Sequence, residues 1–146
     1  MLVSVDIEVV RSATEELVRA FGRLLPQLSG SAEPVTAGSL REIVDWPGTR
    51  LLVARVDGEI AGTLTLVTFP ILTGLRAWIE DVVVDEAARG RGVGEALTRE
   101  AVRLARASGA TTVDLTSRPS RVAANRLYVK LGFQLRESNL YRFTAT

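Results

Sequence analysis

Apolar and polar positions alternate from Val3 to Val10, with Val3, Val5, Ile7 and Val9 on one face, the mark of a half-buried strand. Ser12 and Glu15 read as a capping box, and Leu17, Phe21, Leu24 and Leu28 then recur at helical spacing until Pro26 kinks or ends the helix. Ser29 to Ser39 is rich in Ser, Gly, Ala and Pro and reads as a surface loop before a short helix from Leu40 to Asp45. Arg50 to Val56 and Ile60 to Thr68 flank Asp57-Gly58-Glu59, a hairpin signal, and a second hairpin tipped by Pro70 to Gly74 leads into a strand from Arg76 to Val84. From Gly92 to Ser108, Val93, Ala96, Leu97, Ala101, Leu104 and Ala105 keep the helical period, and Gly109 suits the C-terminal cap. Thr111 to Thr116 reads as a strand, Ser120 as the cap of a helix running to Leu131, and Gly132 as its stop. Leu135 to Arg136 and Asn139 to Phe143 then read as a closing hairpin around Ser138.

The predicted order is β-α-α-β-β-β-α-β-α-β-β, an α/β chain of the mixed α+β kind. It implies a central, mixed but mostly antiparallel twisted sheet of about seven strands flanked by four helices. At 146 residues the length suits one domain spanning 1–146.

Composition narrows the chemistry. Hydrophobic residues make up 47% of the chain, which argues against disorder. No apolar run approaches the roughly 18 residues of a membrane span, and no basic segment with an apolar signal core opens the chain, so the expectation is a soluble cytoplasmic protein with no membrane partner. Cysteine and histidine are both absent, which removes disulfides, thiolate nucleophiles, cysteine zinc sites and the usual imidazole base; no metal is expected. A net charge of +1 gives no global field toward nucleic acid, and none is expected as a partner. Lys130, the only lysine, lies outside any Walker context.

Arg89-Gly90-Arg91-Gly92-Val93-Gly94 changes the picture most. It follows the apolar run Trp78-Ile79-Glu80-Asp81-Val82-Val83-Val84 and opens the amphipathic helix. A strand that turns through glycines into a helix offers unpaired amides and partial positive charge to a phosphate, and Arg89 and Arg91 add fixed charge. The dinucleotide fingerprint fails here, because Glu95 stands where its third small residue would fall.

The chain resembles the GNAT superfamily of N-acetyltransferases over essentially its whole length. Arg89 to Gly94 fits the acetyl-CoA motif (Arg or Gln)-x-x-Gly-x-(Gly or Ala), and Ala124-Asn125-Arg126-Leu127-Tyr128-Val129-Lys130-Leu131-Gly132-Phe133 is similar to the family's Ala-x-x-(Leu/Phe)-Tyr-x-x-x-Gly-Phe segment. One departure is visible: Arg121 stands seven residues before the tyrosine, where many members carry asparagine. The resemblance implies acetyl-CoA as cosubstrate, held by Arg89, Gly90, Arg91, Gly92, Val93 and Gly94 at the pyrophosphate and by the main chain of Val82, Val83 and Val84 along the pantetheine arm, with Asn125 and Tyr128 contributing. By the same analogy the Val82 amide polarises the thioester carbonyl.

Attack on a thioester needs a neutral amine and a proton for the departing thiolate. Glu80 is the candidate base, Tyr128 the candidate acid carried over from the motif, and Glu80 with Asp81 the candidate acceptor-binding pair. Other readings stand beside these. Ala124, Leu127, Tyr128 and Leu131 form a stripe that by itself reads as core packing. Glu80 and Asp81 also suit an exposed strand face or ion pairs with arginines, and alternation sets them on opposite faces unless a bulge intervenes. Absence of cysteine, with no activated serine in view, favours direct transfer to a primary amine of a small molecule or peptide. The competing classes are a noncatalytic acyl-CoA sensor and an interaction module using the Pro70 to Gly74 hairpin, whose Ile71 and Leu72 would suit a homodimer contact if exposed.

Overall fold

The computed structural model describes residues 4–146, so Val3, the predicted start of the first strand, lies outside the described residues. The chain forms two compact units, one ending at Thr116 and the other comprising Ser117–Thr146. The first holds a five-stranded sheet in the order β1 (Val5–Val9), β2 (Thr49–Val56), β3 (Glu59–Ile71), β4 (Gly74–Val84) and β5 (Thr112–Asp114). All neighbours pair antiparallel except β4 and β5, which run parallel. Its helices are α1 (Glu15–Leu24), α2 (Ala37–Asp45) and α3 (Val93–Ala107).

Capping chemistry sets the helix starts. Thr14, not Ser12, caps α1, its Oγ1 accepting from the Leu17 amide at 3.2 Å. The loop predicted over Ser29 to Ser39 closes early because Thr36 and Ser39 form the reciprocal capping box, which starts α2 at Ala37 rather than Leu40. Leu17, Ala20, Phe21 and Leu24 of α1 and Leu40 of α2 bury one sheet face, packing with Leu51, Val53 and Val83. Helix α3 covers the other face at Gly62, where an added Cβ would stand 2.9 Å from Val93 Cγ1 and 3.0 Å from the Val83 carbonyl oxygen. Only glycine permits that approach of helix to sheet.

One irregularity shapes β4. Thr65 pairs with Glu80 and Thr63 with Val83, so Leu64 alone faces Asp81 and Val82, and Asp81 takes a left-handed φ of +49°. This β-bulge reverses the alternation, leaving Glu80 and Val83 on the same face, the one that α1 and α2 cover.

The unit Ser117–Thr146 is built on α4 (Val122–Lys130). Gly132 at φ +99° ends it in a Schellman turn, with the Phe133 amide donating to Tyr128 O (2.9 Å) and the Gly132 amide to Val129 O (3.1 Å). Ser120 is not the cap; Arg121 occupies that position without a side-chain bond. The four predicted helices form, but among the described residues the sheet has five strands rather than seven, without the predicted closing hairpin of Leu135 to Arg136 and Asn139 to Phe143. Extended backbone would gather only Tyr141 and Phe143 on one face, with Leu140 on the other beside Arg142, and all three are exposed. Among the described residues no helix is long and apolar enough to cross a membrane.

Candidate functional site

Strand β4 runs out at Val84 into Asp85 and a single 3-10 turn, Glu86–Ala88, before Arg89 returns to extended backbone. Gly90 and Gly92 both take φ +79°, and a Cβ on either would meet nothing within 4 Å. The turn is therefore left-handed twice, and it opens onto solvent. Gly92 caps α3 with no side chain, and the first amide that it receives is that of Ala96 (3.0 Å), so the Val93 and Gly94 amides have no intrahelical acceptor. Val93 is buried and anchors the turn, while Arg89 and Arg91 are exposed and enter no ion pair among the described residues. Open space, outward amides, a helix N-terminus and uncommitted guanidinium groups are what a pyrophosphate requires.

Beside this turn β4 has a free edge. Its parallel pairing with β5 covers only Arg76, Ala77 and Trp78, leaving the side of Ile79 to Val84 away from β3 without a strand among the described residues. The Asp85 amide donates to Ala61 O at 2.8 Å, so strand alternation turns the Val83 amide toward β3 and the Val84 amide toward the open edge, up to the bulge at Asp81 and Val82. An amide on an unpaired strand edge suits an extended chain carrying amide groups of its own.

Glu80 and Asp81 are both exposed and enter no ion pair among the described residues. A bulge is present, but it takes in Asp81 and Val82, while Glu80 stays paired with Thr65. Glu80 faces the α1–α2 side, and Asp81 supplies the left-handed residue of the bulge.

Sequence reasoning missed Arg23, Gln27 and Asp85. Arg23 Nε donates to Asp85 Oδ2 at 2.9 Å and Nη2 to Ile60 O at 2.6 Å; Gln27 donates to Asp85 Oδ1 at 3.5 Å and accepts from the Glu86 amide at 3.0 Å. The Arg23 bond, more than the bonds from Ala87 and Gln27, holds the Asp85 carboxyl below the usual carboxylate range. Their four-residue spacing on the last turns of the first helical segment was the available signal.

In the unit Ser117–Thr146, Tyr128 is buried, with its ring edge-to-face on Phe133 at 5.8 Å between centroids. Burial pushes its phenol above the ordinary tyrosine value, partly offset by the charge of Arg121. Asn125 spends both amide hydrogens locally, donating to Arg118 O (2.9 Å) and Arg121 O (2.8 Å), which leaves only its carbonyl oxygen for another partner. A cavity of about 480 Å³ lies at the C-terminal end of α3, between Arg11, Asp45, Arg50 and Leu104; it contains none of the candidate residues and sits at the opposite end of that helix from the glycine turn. Among the described residues no group of three or more acidic, histidine or cysteine side chains is placed to hold a metal ion.

Comparison with known proteins adds an independent line. The profile of the acetyltransferase (GNAT) family matches residues 13–133. The glucosamine 6-phosphate N-acetyltransferase of Trypanosoma brucei brucei is 33% identical over 144 residues, covering 93% of this chain and 95% of its own. Glucosamine 6-phosphate N-acetyltransferase 1 of Oryza sativa subsp. japonica is 34% identical over 128 residues, covering 81% and 75%. The crystal structure of a Trypanosoma brucei acetyltransferase superposes with a TM-score of 0.78 at 29% identity, over 97% of this chain and all of that one.

Proposed function

The chain belongs to the GNAT family of acetyltransferases and is an N-acetyltransferase, and from that premise we propose that it moves the acetyl group of acetyl-CoA directly to the primary amine of a phosphorylated amino sugar of the glucosamine 6-phosphate kind. Family membership implies acetyl-CoA as the donor. The observation that carries the acceptor is the likeness to two glucosamine 6-phosphate N-acetyltransferases, one of them matched along nearly its whole length. The family match runs through both compact units, which supports reading them as one acetyltransferase domain.

In the reading we favour, the pyrophosphate lies on the amides and guanidinium groups of Arg89 to Gly94, and the pantetheine arm adds to the free edge of β4 at Val82 to Val84. Asn125 and Tyr128 complete the coenzyme contacts, as the motif implies. The neutral amine attacks the thioester carbon, a C–N bond forms, and the carbonyl electrons move onto oxygen, where, as the resemblance implies, the Val82 amide receives them. As that pair returns, the C–S bond breaks and the electrons leave on sulfur. An alkyl amine has a pKa near ~10 and a thiol near ~8.5, so the amine must shed a proton and the thiolate must gain one. Glu80, on the α1–α2 face, takes the amine proton through water; Asp81 helps hold the cationic acceptor. Tyr128 gives its proton to sulfur, and its raised pKa keeps the phenol protonated at neutral pH. The exposed tip at Ile71 and Leu72 is where a second copy would dock, and the mass in solution of Leu72→Asp beside the parent chain tests it.

The deciding experiment compares acetyl-CoA binding by calorimetry in the parent, Gly92→Asn and Gly92→Asp proteins, followed by thiol release with glucosamine 6-phosphate and with glucosamine. Asparagine and aspartate both tolerate a left-handed φ, so the difference between them isolates charge. Selective loss in Gly92→Asp supports the cradle; equal binding by all three proteins rejects it. Turnover of the phosphorylated sugar above the free one supports the acceptor, and no preference rejects it.

A further inference from the structure

Between the end of β4 and the start of α3 the chain passes through two left-handed glycines, Gly90 and Gly92, which supply no side chain to hold the turn. Among the described residues, the side-chain hydrogen bonds that reach Asp85 to Gly92 from elsewhere come from Arg23 and Gln27. We propose that Arg23 and Gln27 are positioning residues that clamp the coenzyme turn to α1 and the 3-10 turn Leu25–Gln27 that follows it, through Asp85 and the Glu86 amide; the inference rests on reading Arg89 to Gly94 as the pyrophosphate site.

The clamp is over-determined at its root. Arg23 grips both Asp85 and the carbonyl of Ile60 on β3, so its guanidinium spans two strands' ends at once. Asp85 is itself pinned by its backbone amide on Ala61 O, and its side chain caps the following 3-10 turn at the Ala87 amide, 3.2 Å away. Gln27 closes the ring by bonding Asp85 with its amide nitrogen and the Glu86 amide with its oxygen. Ala88 is buried at the far side of that turn, so a fixed Asp85 fixes where Arg89 begins. The consequence is preorganisation: amides that wait in the bound arrangement lose less entropy when an anion arrives. Arg23 is half exposed and Asp85 is not, which places the charge pair at the surface without consuming the arginines of the cradle.

The test measures acetyl-CoA dissociation constants at a temperature well below each variant's melting point. Arg23→Ala and Asp85→Asn should weaken binding about tenfold, and Arg23→Lys, which keeps a charge for Asp85 but loses the fork, should recover part of it. Gln27→Met keeps the shape without either bond and serves where Arg23→Ala does not fold. Leu40→Val, which trims α2's buried contact far from the turn in sequence, should lower the melting point and leave the constant unchanged. If Gly92→Asp abolishes binding while Arg23→Ala, Gln27→Met and Asp85→Asn all bind as the parent does, the clamp is overturned and the cradle stands. If Gly92→Asp also binds normally, the cradle reading fails and takes the clamp with it.

Discussion

Tyr128 and Phe133 meet edge to face, 5.8 Å apart and inclined by 60°, because Gly132 between them turns left-handed and folds Phe133 back over the last turn of α4. The aromatic contact is the apolar half of a Schellman turn whose polar half is the bond from the Phe133 amide to Tyr128 O. A motif tyrosine followed by glycine and phenylalanine thus has a local structural cause as well as its proposed chemical one.

Replacing Gly132 with alanine should lower stability by about 1–2 kcal/mol, since an L side chain resists φ +99°. Phe133→Ala should cost at least the ~0.5–1.5 kcal/mol of the aromatic pair. Urea midpoints at unchanged slope check both. A Gly132→Ala protein as stable as the parent would show that the turn is not held in this conformation.

Tyr128→Phe keeps the ring on Phe133 and removes only the hydroxyl, so it separates packing from proton transfer. We expect kcat to fall about 10²-fold, with acetyl-CoA KM changed by no more than about twofold. Burial raises the phenol's pKa, so its neutral form persists to pH values above the ordinary ~10, and parent activity should fall only as pH climbs through the raised value. The variant's pH profile should lack that alkaline limb. Unchanged kcat and an unchanged profile would leave Tyr128 as core packing alone.

The helices and the first four strands were legible because their signals are periodic and local. Leu17, Phe21 and Leu24 do form the buried stripe of α1, and Val93, Leu97, Ala101 and Ala105 that of α3. The glycine turn was legible too, since Gly90 and Gly92 stand between an apolar strand run and an amphipathic helix, and both take a left-handed φ. What the sequence concealed is non-local. No periodicity shows that Arg23 meets Asp85 across 62 positions, or that Gly62 is small because α3 crosses it. The closing strands were misjudged because Tyr141 and Phe143, β-favouring residues at strand spacing, stay exposed, and local pattern does not show whether a strand finds a partner. Even Asp81, whose left-handed backbone aspartate tolerates better than most residues, stood in a run that otherwise read as uninterrupted strand.

That residue supports a prediction of its own. Asp81→Gly should keep or slightly raise stability, because glycine accepts φ +49° freely, whereas Asp81→Val should cost about 1–3 kcal/mol and press the bulge to close. Closing it would move Glu80 and Val83 to opposite faces, so the valine variant should also lose acetyl transfer beyond what Glu80→Gln loses. Melting points and kcat/KM for the three proteins provide the check. An Asp81→Val protein with parental stability and turnover would mean that the bulge matters to neither.

Asp85 yields the last prediction, at acid pH. Its folded pKa lies below the unfolded value of ~3.9, so the unfolded chain binds its proton first as pH falls. The stability it contributes is therefore complete above the unfolded value and drains away as pH drops through the folded one. The pair is half exposed on the Arg23 side, so screening holds that contribution to about 1 kcal/mol. Glu16 and Glu100 are also held low by their arginines, and acid weakens the parent through them as well. The informative quantity is thus the difference between parent and Asp85→Asn. It should be constant from pH 7 down to about 5 and shrink below about 4, as the parent's Asp85 protonates and loses its grip on Arg23. Denaturant unfolding of both proteins across that range measures it, and a difference that stayed level to the lowest pH would mean that the Arg23–Asp85 bond contributes nothing through its charge.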